Sequence, residues 1–223
     1  LAPGFKPFSP AGIDYYGYDQ IPDVVTSLEY ERMLSASGPT MGHLKKESDG
    51  REPEKIAWIQ CVGSRNNNCA DNGYCSSVCC MYAIKQAVMT QSHLPGKGQQ
   101  TIFYMDIRTP GKEYERYYEG SRKNGVNYVK ARPHTLTQGP EGSGVNMIWA
   151  DDKGNSHEEY FDMVVLSIGL SAPEDAMDLA AKCGIELDPF KFAKTDSFEP
   201  VSTNQKGIYV TGSFHSPKAI PQS

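Results

Sequence analysis

Four cysteines lie where a strand-like apolar run is joined to a helix-like segment, and their placement constrains the fold more than any other feature. They are Cys61, Cys75, Cys79 and Cys80. The apolar run at 56–59 is typical of a buried strand, and the amphipathic pattern at 77–91 is typical of a helix. Strand, loop and helix in this order open a dinucleotide-binding unit, whose loop normally carries Gly-x-Gly-x-x-Gly. Thiols at that place indicate a metal-based electron carrier instead of a nicotinamide site.

The rest of the pattern predicts an α/β fold. We expect strands at 56–59, 101–107 and 126–130, and helices at 77–91 and 112–124. This alternation implies parallel strands joined by right-handed crossovers. Residues 134–162 are typical of an antiparallel meander, and 162–169 of a buried strand that returns to the sheet. The sequence therefore predicts a Rossmann-like three-layer domain, in which a parallel sheet is accompanied by an antiparallel meander.

Two capping boxes and one late strand are predicted outside this core. Thr26 with Glu29, and Ser171 with Glu174, have the Ser/Thr-x-x-Glu spacing that starts helices. The segment 207–211 (GIYVT) is typical of a final strand. These signals place one helix before the alternating part and a helix and a strand after it.

Composition and charge exclude several classes of partner. The net charge is −5 and there is no long basic run, which disfavours nucleic acid and anionic membranes. No apolar stretch reaches the roughly 20 residues that span a bilayer, so no membrane insertion is expected. Five of the six cysteines fall within residues 61–80, which favours metal or redox chemistry over a disulfide framework. From the sequence we expect a cytoplasmic location. We also expect this chain to come from inside a longer polypeptide.

Several segments resemble a known family of redox enzymes. IQCVGSR and YCSSVCCMYAIKQA, together with TSLEYERMLSASGPT and GSFHSPKAIPQS, resemble the A subunits of heterodisulfide reductases and their relatives in sulfate reducers. DMVVLSIG and GIYVTG resemble the second half of flavoprotein reductases of the thioredoxin-reductase type. The resemblance covers nearly the whole chain, and the cysteine motif is its most specific part. It implies a nicotinamide-type domain inserted into a flavin-binding domain.

This resemblance implies a ligand set for the cysteines. Cys61, Cys75, Cys79 and Cys80 correspond to the ligands of a [4Fe-4S] cluster, whereas Cys69 lies in the variable part of the loop. A helix N-terminus beside three of these thiols would lower their pKa values and stabilise an anionic cluster. A zinc site on the same sulfurs is the alternative, although adjacent cysteines suit spaced zinc-binding pairs poorly. A purely structural set of buried thiols is the third possibility.

The resemblance also bears on flavin. It implies FAD in the intact protein, with Gly212, Ser213, Lys218 and Ile220 as the candidate cofactor-binding residues of this chain. The glycine-rich flavin motif is absent from these residues, and reductases of this class often have Asp where Ser213 stands. We therefore do not expect this piece alone to retain FAD.

Lys85 is the candidate catalytic residue, about one and a half turns beyond the last cysteine on the same helix. It is interpreted as lying between cluster and flavin, where its charge would stabilise the reduced flavin. The alternative is an ordinary solvated lysine, which the sequence by itself favours. Cys183, near the end of a later helix, is interpreted as a small buried apolar residue.

Three regions and three functional hypotheses result. Residues 1–45 form an N-terminal segment with a linker helix, 46–165 the Rossmann-like domain, and 166–223 a partial FAD-binding domain. The first hypothesis is an electron-transfer oxidoreductase with heterodisulfide reductase-type subunits and electron carriers as partners, in flavin-based bifurcation or quinone-linked sulfur metabolism. The second hypothesis is an interaction module held together by zinc. The third is a nicotinamide-dependent reductase, which the missing glycine motif disfavours.

Overall fold

The structure is a computed structural model that describes residues 1–68, 70–96 and 98–222. Its strands are β1 Lys6–Pro7, β2 Val24–Thr26, β3 Lys55–Val62, β4 Gln99–Tyr104, β5 Asn127–Lys130, β6 Thr135–Gln138, β7 Val145–Ala150, β8 Ser156–Phe161, β9 Met163–Ile168 and β10 Leu170–Ser171. Its α-helices are α1 Ser27–Leu34, α2 Cys79–His93, α3 Tyr114–Lys123 and α4 Glu174–Cys183. Short 3₁₀ helices cover Asp14–Tyr16, Pro140–Gly142, Gly212–Phe214 and Ile220–Gln222.

The described residues form two compact units. The sheet unit consists of Pro10–Val62 and Cys79–Ile168. The C-terminal unit consists of Leu1–Ser9, the described part of Gly63–Val78, and the residues from Gly169 onward. The chain thus leaves the sheet unit within the cysteine-containing segment and returns to it at Cys79.

A five-stranded parallel sheet in the order β2-β9-β3-β4-β5 is the framework of the sheet unit. Every residue of β9 is buried, as a near-continuous apolar strand in the middle of a parallel sheet requires. Strands β6, β7 and β8 form a separate antiparallel sheet. The predicted α/β fold, with a parallel sheet and an antiparallel meander, is confirmed.

The main core lies between the sheet and helices α1 and α2. Trp58 of β3 is fully buried and packs edge-to-face on Tyr30 of α1, with ring centroids 5.5 Å apart. Its indole N–H donates to the Gln86 side chain at 3.2 Å, and Gln86 in turn donates to the Ser27 carbonyl at 2.8 Å. One polar chain therefore connects the central strand to both helices.

The capping prediction is confirmed for α1 and wrong for α4. Thr26 and Glu29 form the reciprocal hydrogen bonds of a capping box. Ser171 instead pairs with Lys6 in the β1–β10 ladder, and Pro173 occupies the N-cap without a side-chain hydrogen bond. The Glu174 carboxylate instead forms an ion pair with the Lys6 ammonium, with Oε1 and Nζ 2.7 Å apart. Tertiary strand pairing therefore overrides the local capping signal.

The predicted strand at 207–211 is also wrong. Tyr209 forms only an isolated bridge with Ser202, and the amides of Val210 and Thr211 donate to the carbonyls of Val201 and Leu1. A strand needs a neighbouring strand of matching length, and no such partner lies beside this segment among the described residues. Strand β2, in contrast, was not predicted, because its three residues are too few to show a periodicity.

Candidate metal centre

Strand β3 is distorted where it reaches Cys61. Its pairing with β9 is regular as far as Ile59, shifts, and resumes at Val62 opposite Ile168. Cys61 has a φ of 61°, in the left-handed region that residues with side chains rarely adopt. Bulges of this kind redirect a side chain, and ligand sites of parallel sheets form at this carboxyl edge. The buried Cys61 thiol thus occupies a local distortion at the edge where a site is expected.

Helix α2 begins with two buried thiols. The Cys79 sulfur lies 3.6 Å from the carbonyl oxygen of Ile168, at the end of β9. The Cys80 sulfur lies 3.5 Å from the amide of Arg108, which donates to it, in the loop after β4. The first turn of a helix also presents unpaired N–H groups and positive dipole density, which favour thiolates. The start of α2 therefore places two sulfurs at the carboxyl edge of the sheet.

The remaining cysteines lie in the C-terminal unit or outside the described residues. Cys75 is a partly exposed thiol whose sulfur accepts the amide of Ser77 at 3.3 Å. Cys183, at the end of α4, packs against the apolar core of this unit, as an apolar residue would, but it is only partly buried. The prediction that Cys69 is not a ligand falls outside the residues that the structure describes.

The sulfurs of Cys79 and Cys80 each contact a backbone group. Within residues 1–68, 70–96 and 98–222, no three His, Cys, Asp or Glu side chains are grouped so as to hold a metal ion. Cys79 faces the end of β9 and Cys80 faces the loop after β4, as neighbouring residues of a helix point in different directions. The chemistry of the donors nevertheless fits an iron-sulfur cluster, since buried thiols are its usual ligands. The four-cysteine ligand set stays a prediction.

Two buried polar residues are linked to Cys61, one by sequence and one by its electrostatic contact. Both polar atoms of the Gln60 amide are buried without a hydrogen-bond partner in the described structure, and the buried Tyr16 hydroxyl lies against the Arg132 guanidinium. Gln60 directly precedes Cys61. Burial raises the pKa of Tyr16, the nearby Cys61 adds to the rise, and the cation of Arg132 opposes it. Because an unsatisfied buried group costs about 1–3 kcal/mol, the Gln60 amide is a polar group whose partner is still to be explained, one residue from Cys61.

Tyr82 brings a further hydroxyl to the start of α2. Its O–H donates to the Ile168 carbonyl, the same group that the Cys79 sulfur approaches. Burial raises the pKa of Tyr82 well above its usual value, and the neighbouring Cys79 is the next cause. Tyr82 was not singled out from the sequence, although its position three residues after Cys79 puts both on one helix face.

Lys85, the candidate catalytic residue, lies in an ion pair. Its ammonium is 2.6 Å from the Glu31 carboxylate of α1, and both side chains are partly exposed. Gln86 also donates to Glu31, at 3.1 Å. The placement gives Lys85 a partner on α1, and its role at a flavin stays a prediction.

The candidate flavin residues occupy the end of the C-terminal unit. Gly212 has a φ of 67° and begins a 3₁₀ turn that includes Ser213. The Lys218 ammonium lies 2.5 Å from Nδ1 of His215, and burial lowers the pKa of both groups. Ile220 is 91% exposed. Their assignment to FAD stays a prediction.

Comparison with known proteins identifies relatives along the entire chain. It is 38% identical to the iron-sulfur A1 subunit of the CoB–CoM heterodisulfide reductase of Methanopyrus kandleri, over 100% of this chain and 34% of the relative. It is 40% identical to the A subunit of the H₂/formate:CoB-CoM heterodisulfide,ferredoxin reductase of Methanococcus maripaludis, with the same two coverages. The chain is a homologue of the heterodisulfide reductase A subunits. It spans about a third of the length of these curated relatives.

Solved structures agree with this homology at the level of the fold. This heterodisulfide reductase homologue matches the thioredoxin reductase of Lactococcus lactis with a TM-score of 0.54 and 15% identity, over 97% of this chain and 57% of that one. The chain therefore has a thioredoxin reductase-like fold. No model of a protein family matches the sequence. Among the described residues, none of the helices has the length and apolar character needed to cross a bilayer.

Proposed function

We propose that this chain is part of an electron-transfer oxidoreductase of the heterodisulfide reductase type and that it holds a [4Fe-4S] cluster. Its ligands would be Cys61, Cys75, Cys79 and Cys80. The observation that carries the proposal is the placement of three buried thiols, Cys61, Cys79 and Cys80, at the carboxyl edge of the sheet. The relatives' description as iron-sulfur subunits supports it.

The residues around the thiols suit a redox centre. When bound, the cluster supplies one-electron transfer. The N-terminus of α2 favours the thiolate forms of Cys79 and Cys80, and the guanidinium of Arg132 offsets negative charge near Cys61. Burial of the three cysteines of the sheet unit limits access of water. The chain's part is therefore to hold the ligands and to set the electrostatic potential around them.

FAD is the second proposed cofactor, and it belongs to the intact protein. Gly212, Ser213, Lys218 and Ile220 would contribute to its site, and Lys85 would stabilise the reduced flavin. The thioredoxin reductase-like fold supports this assignment. Lys218, whose Nζ lies against the His215 ring, would be the contact of this segment to an anionic cofactor.

The proposed electron donors and acceptors are FAD and iron-sulfur proteins of the same complex. Relatives carry names that include heterodisulfide reductase and ferredoxin, which supports partners of this chemical kind. The cytoplasm is the proposed location. Flavin-based bifurcation and quinone-linked sulfur metabolism remain alternative settings for the same electron relay.

Metal and sulfide content distinguish this function from a zinc-stapled interaction module. We expect the 223-residue chain, purified and reconstituted without oxygen, to bind about four iron atoms and a matching amount of acid-labile sulfide per chain. Zinc is measured on the same sample by elemental analysis. One tightly bound zinc per chain with no sulfide, both before and after reconstitution, would overturn the proposal in favour of the interaction module.

A further inference from the structure

Two hydrogen-bond donors share a single backbone acceptor at the start of α2. The carbonyl oxygen of Ile168 accepts the Tyr82 hydroxyl and lies 3.6 Å from the Cys79 sulfur. The Cys79 contact is a weak one, because a thiol is a poor donor and the distance is long. The arrangement therefore holds the Tyr82 oxygen and the Cys79 sulfur close to the same point.

Ligation to iron would change what the Cys79 sulfur can do. A metal-bound cysteine is a thiolate, which has no proton to donate and can only accept hydrogen bonds. The contact between that sulfur and the Ile168 oxygen would then join two electron-rich atoms. A donor that already lies beside both atoms removes this conflict, and Tyr82 is such a donor.

We propose that Tyr82 is a positioning residue that donates a hydrogen bond to the sulfur of iron-bound Cys79 and thereby raises the reduction potential of the centre. This inference rests on the proposed function. A hydrogen bond to a ligand sulfur stabilises the more negative, reduced state, which is why such bonds set the potentials of iron-sulfur centres.

The surroundings of Tyr82 limit where its hydroxyl can point. Tyr82 is one helical turn from Cys79, so the two side chains lie on the same face of α2. Ser27, at the start of α1, lies close enough to its hydroxyl to affect the pKa of Tyr82. The hydroxyl is thus confined between Cys79, the end of β9 and the start of α1. The Ile168 carbonyl oxygen and the Cys79 side chain are therefore both hydrogen-bonding neighbours of this hydroxyl.

Substitution of Tyr82 by phenylalanine keeps the ring and removes only the donor. We expect Tyr82→Phe to assemble the cluster in normal amount and to shift its midpoint potential, measured by redox titration with EPR detection, to a more negative value. Tyr30→Phe is the matched control. Tyr30 of α1 is a fully buried phenol whose hydroxyl lies 2.6 Å from the hydroxyl of Thr90 on α2, the helix that carries Tyr82. This control is expected to leave the midpoint potential unchanged.

A second measurement separates a hydrogen bond from a packing effect. In deuterated buffer, pulsed ENDOR of the reduced centre is expected to show an exchangeable deuteron near the cluster that is missing in Tyr82→Phe. A loaded Tyr82→Phe protein with an unchanged midpoint potential and the same deuteron signal would overturn this inference and leave the proposed function standing. Failure of the unsubstituted chain to assemble any cluster would overturn both.

Discussion

Cys79→Ser is expected to abolish assembly of the iron-sulfur cluster. The Cys79 thiol is buried on the first turn of α2, where the helix N-terminus favours the thiolate that iron requires. A serine hydroxyl ionises far less readily, so its oxygen is a much poorer ligand for iron in a thiolate site. We expect iron and acid-labile sulfide in the reconstituted variant to fall to a small fraction of the amounts in the unsubstituted chain.

Cys183→Ser is the matched control for this result. Cys183 is also a thiol, but it packs against the apolar core of the C-terminal unit, near the end of α4. Its replacement is expected to leave iron and sulfide content unchanged, with only a modest loss of stability. Equal cluster content in Cys79→Ser and Cys183→Ser would remove Cys79 from the ligand set.

Trp58→Ala is expected to lower the free energy of unfolding of the sheet unit by about 3–5 kcal/mol, the usual range for deleting a buried large aromatic side chain. Trp58 is fully buried in the central strand β3 and packs edge-to-face on Tyr30. Its loss would also leave the buried Gln86 side chain without the indole donor that now lies 3.2 Å away. Both effects act on the same interface between the sheet and its helices.

Chemical unfolding of the apoprotein, followed by circular dichroism under reducing conditions, measures this loss. Tyr117→Ala is the control, because Tyr117 is an aromatic residue of α3 with 38% of its surface exposed. We expect its effect to be below about 1 kcal/mol. A Trp58→Ala variant that unfolds at the same denaturant concentration as the Tyr117→Ala variant would contradict the described core.

The alternating core could be predicted from sequence because its periodicity is strong. The apolar run at 56–59 lies within β3, and the helical pattern at 77–91 corresponds to α2 with a shift of two residues at each end. Burial on both faces leaves few alternatives for such runs. In contrast, the Ser171–Glu174 spacing predicted a cap that β1–β10 pairing displaced, because a local signal contains no information about a distant partner strand.

The surroundings of the cysteines were largely beyond sequence reasoning. Tyr16 precedes Cys61 by 45 residues and Arg132 follows it by 71 residues, so no local sequence pattern joins either of them to this cysteine. The left-handed conformation of Cys61 was equally unpredictable, since most such positions carry glycine. Tyr82 could have been predicted to lie near Cys79, because it follows Cys79 by three residues on one helix and both therefore share a face. The cysteine ligands could thus be predicted from the sequence, whereas the neighbouring groups that would tune them could not.

Low-temperature EPR of the anaerobically reconstituted and then reduced chain tests the central claim most directly. The account predicts a signal typical of a reduced [4Fe-4S] cluster, at an intensity that matches the bound iron and is lost in Cys79→Ser. The oxidised protein should lack this signal. No such signal on reduction of a protein that holds zinc in its place would contradict the account, and the cysteines would then be structural ligands.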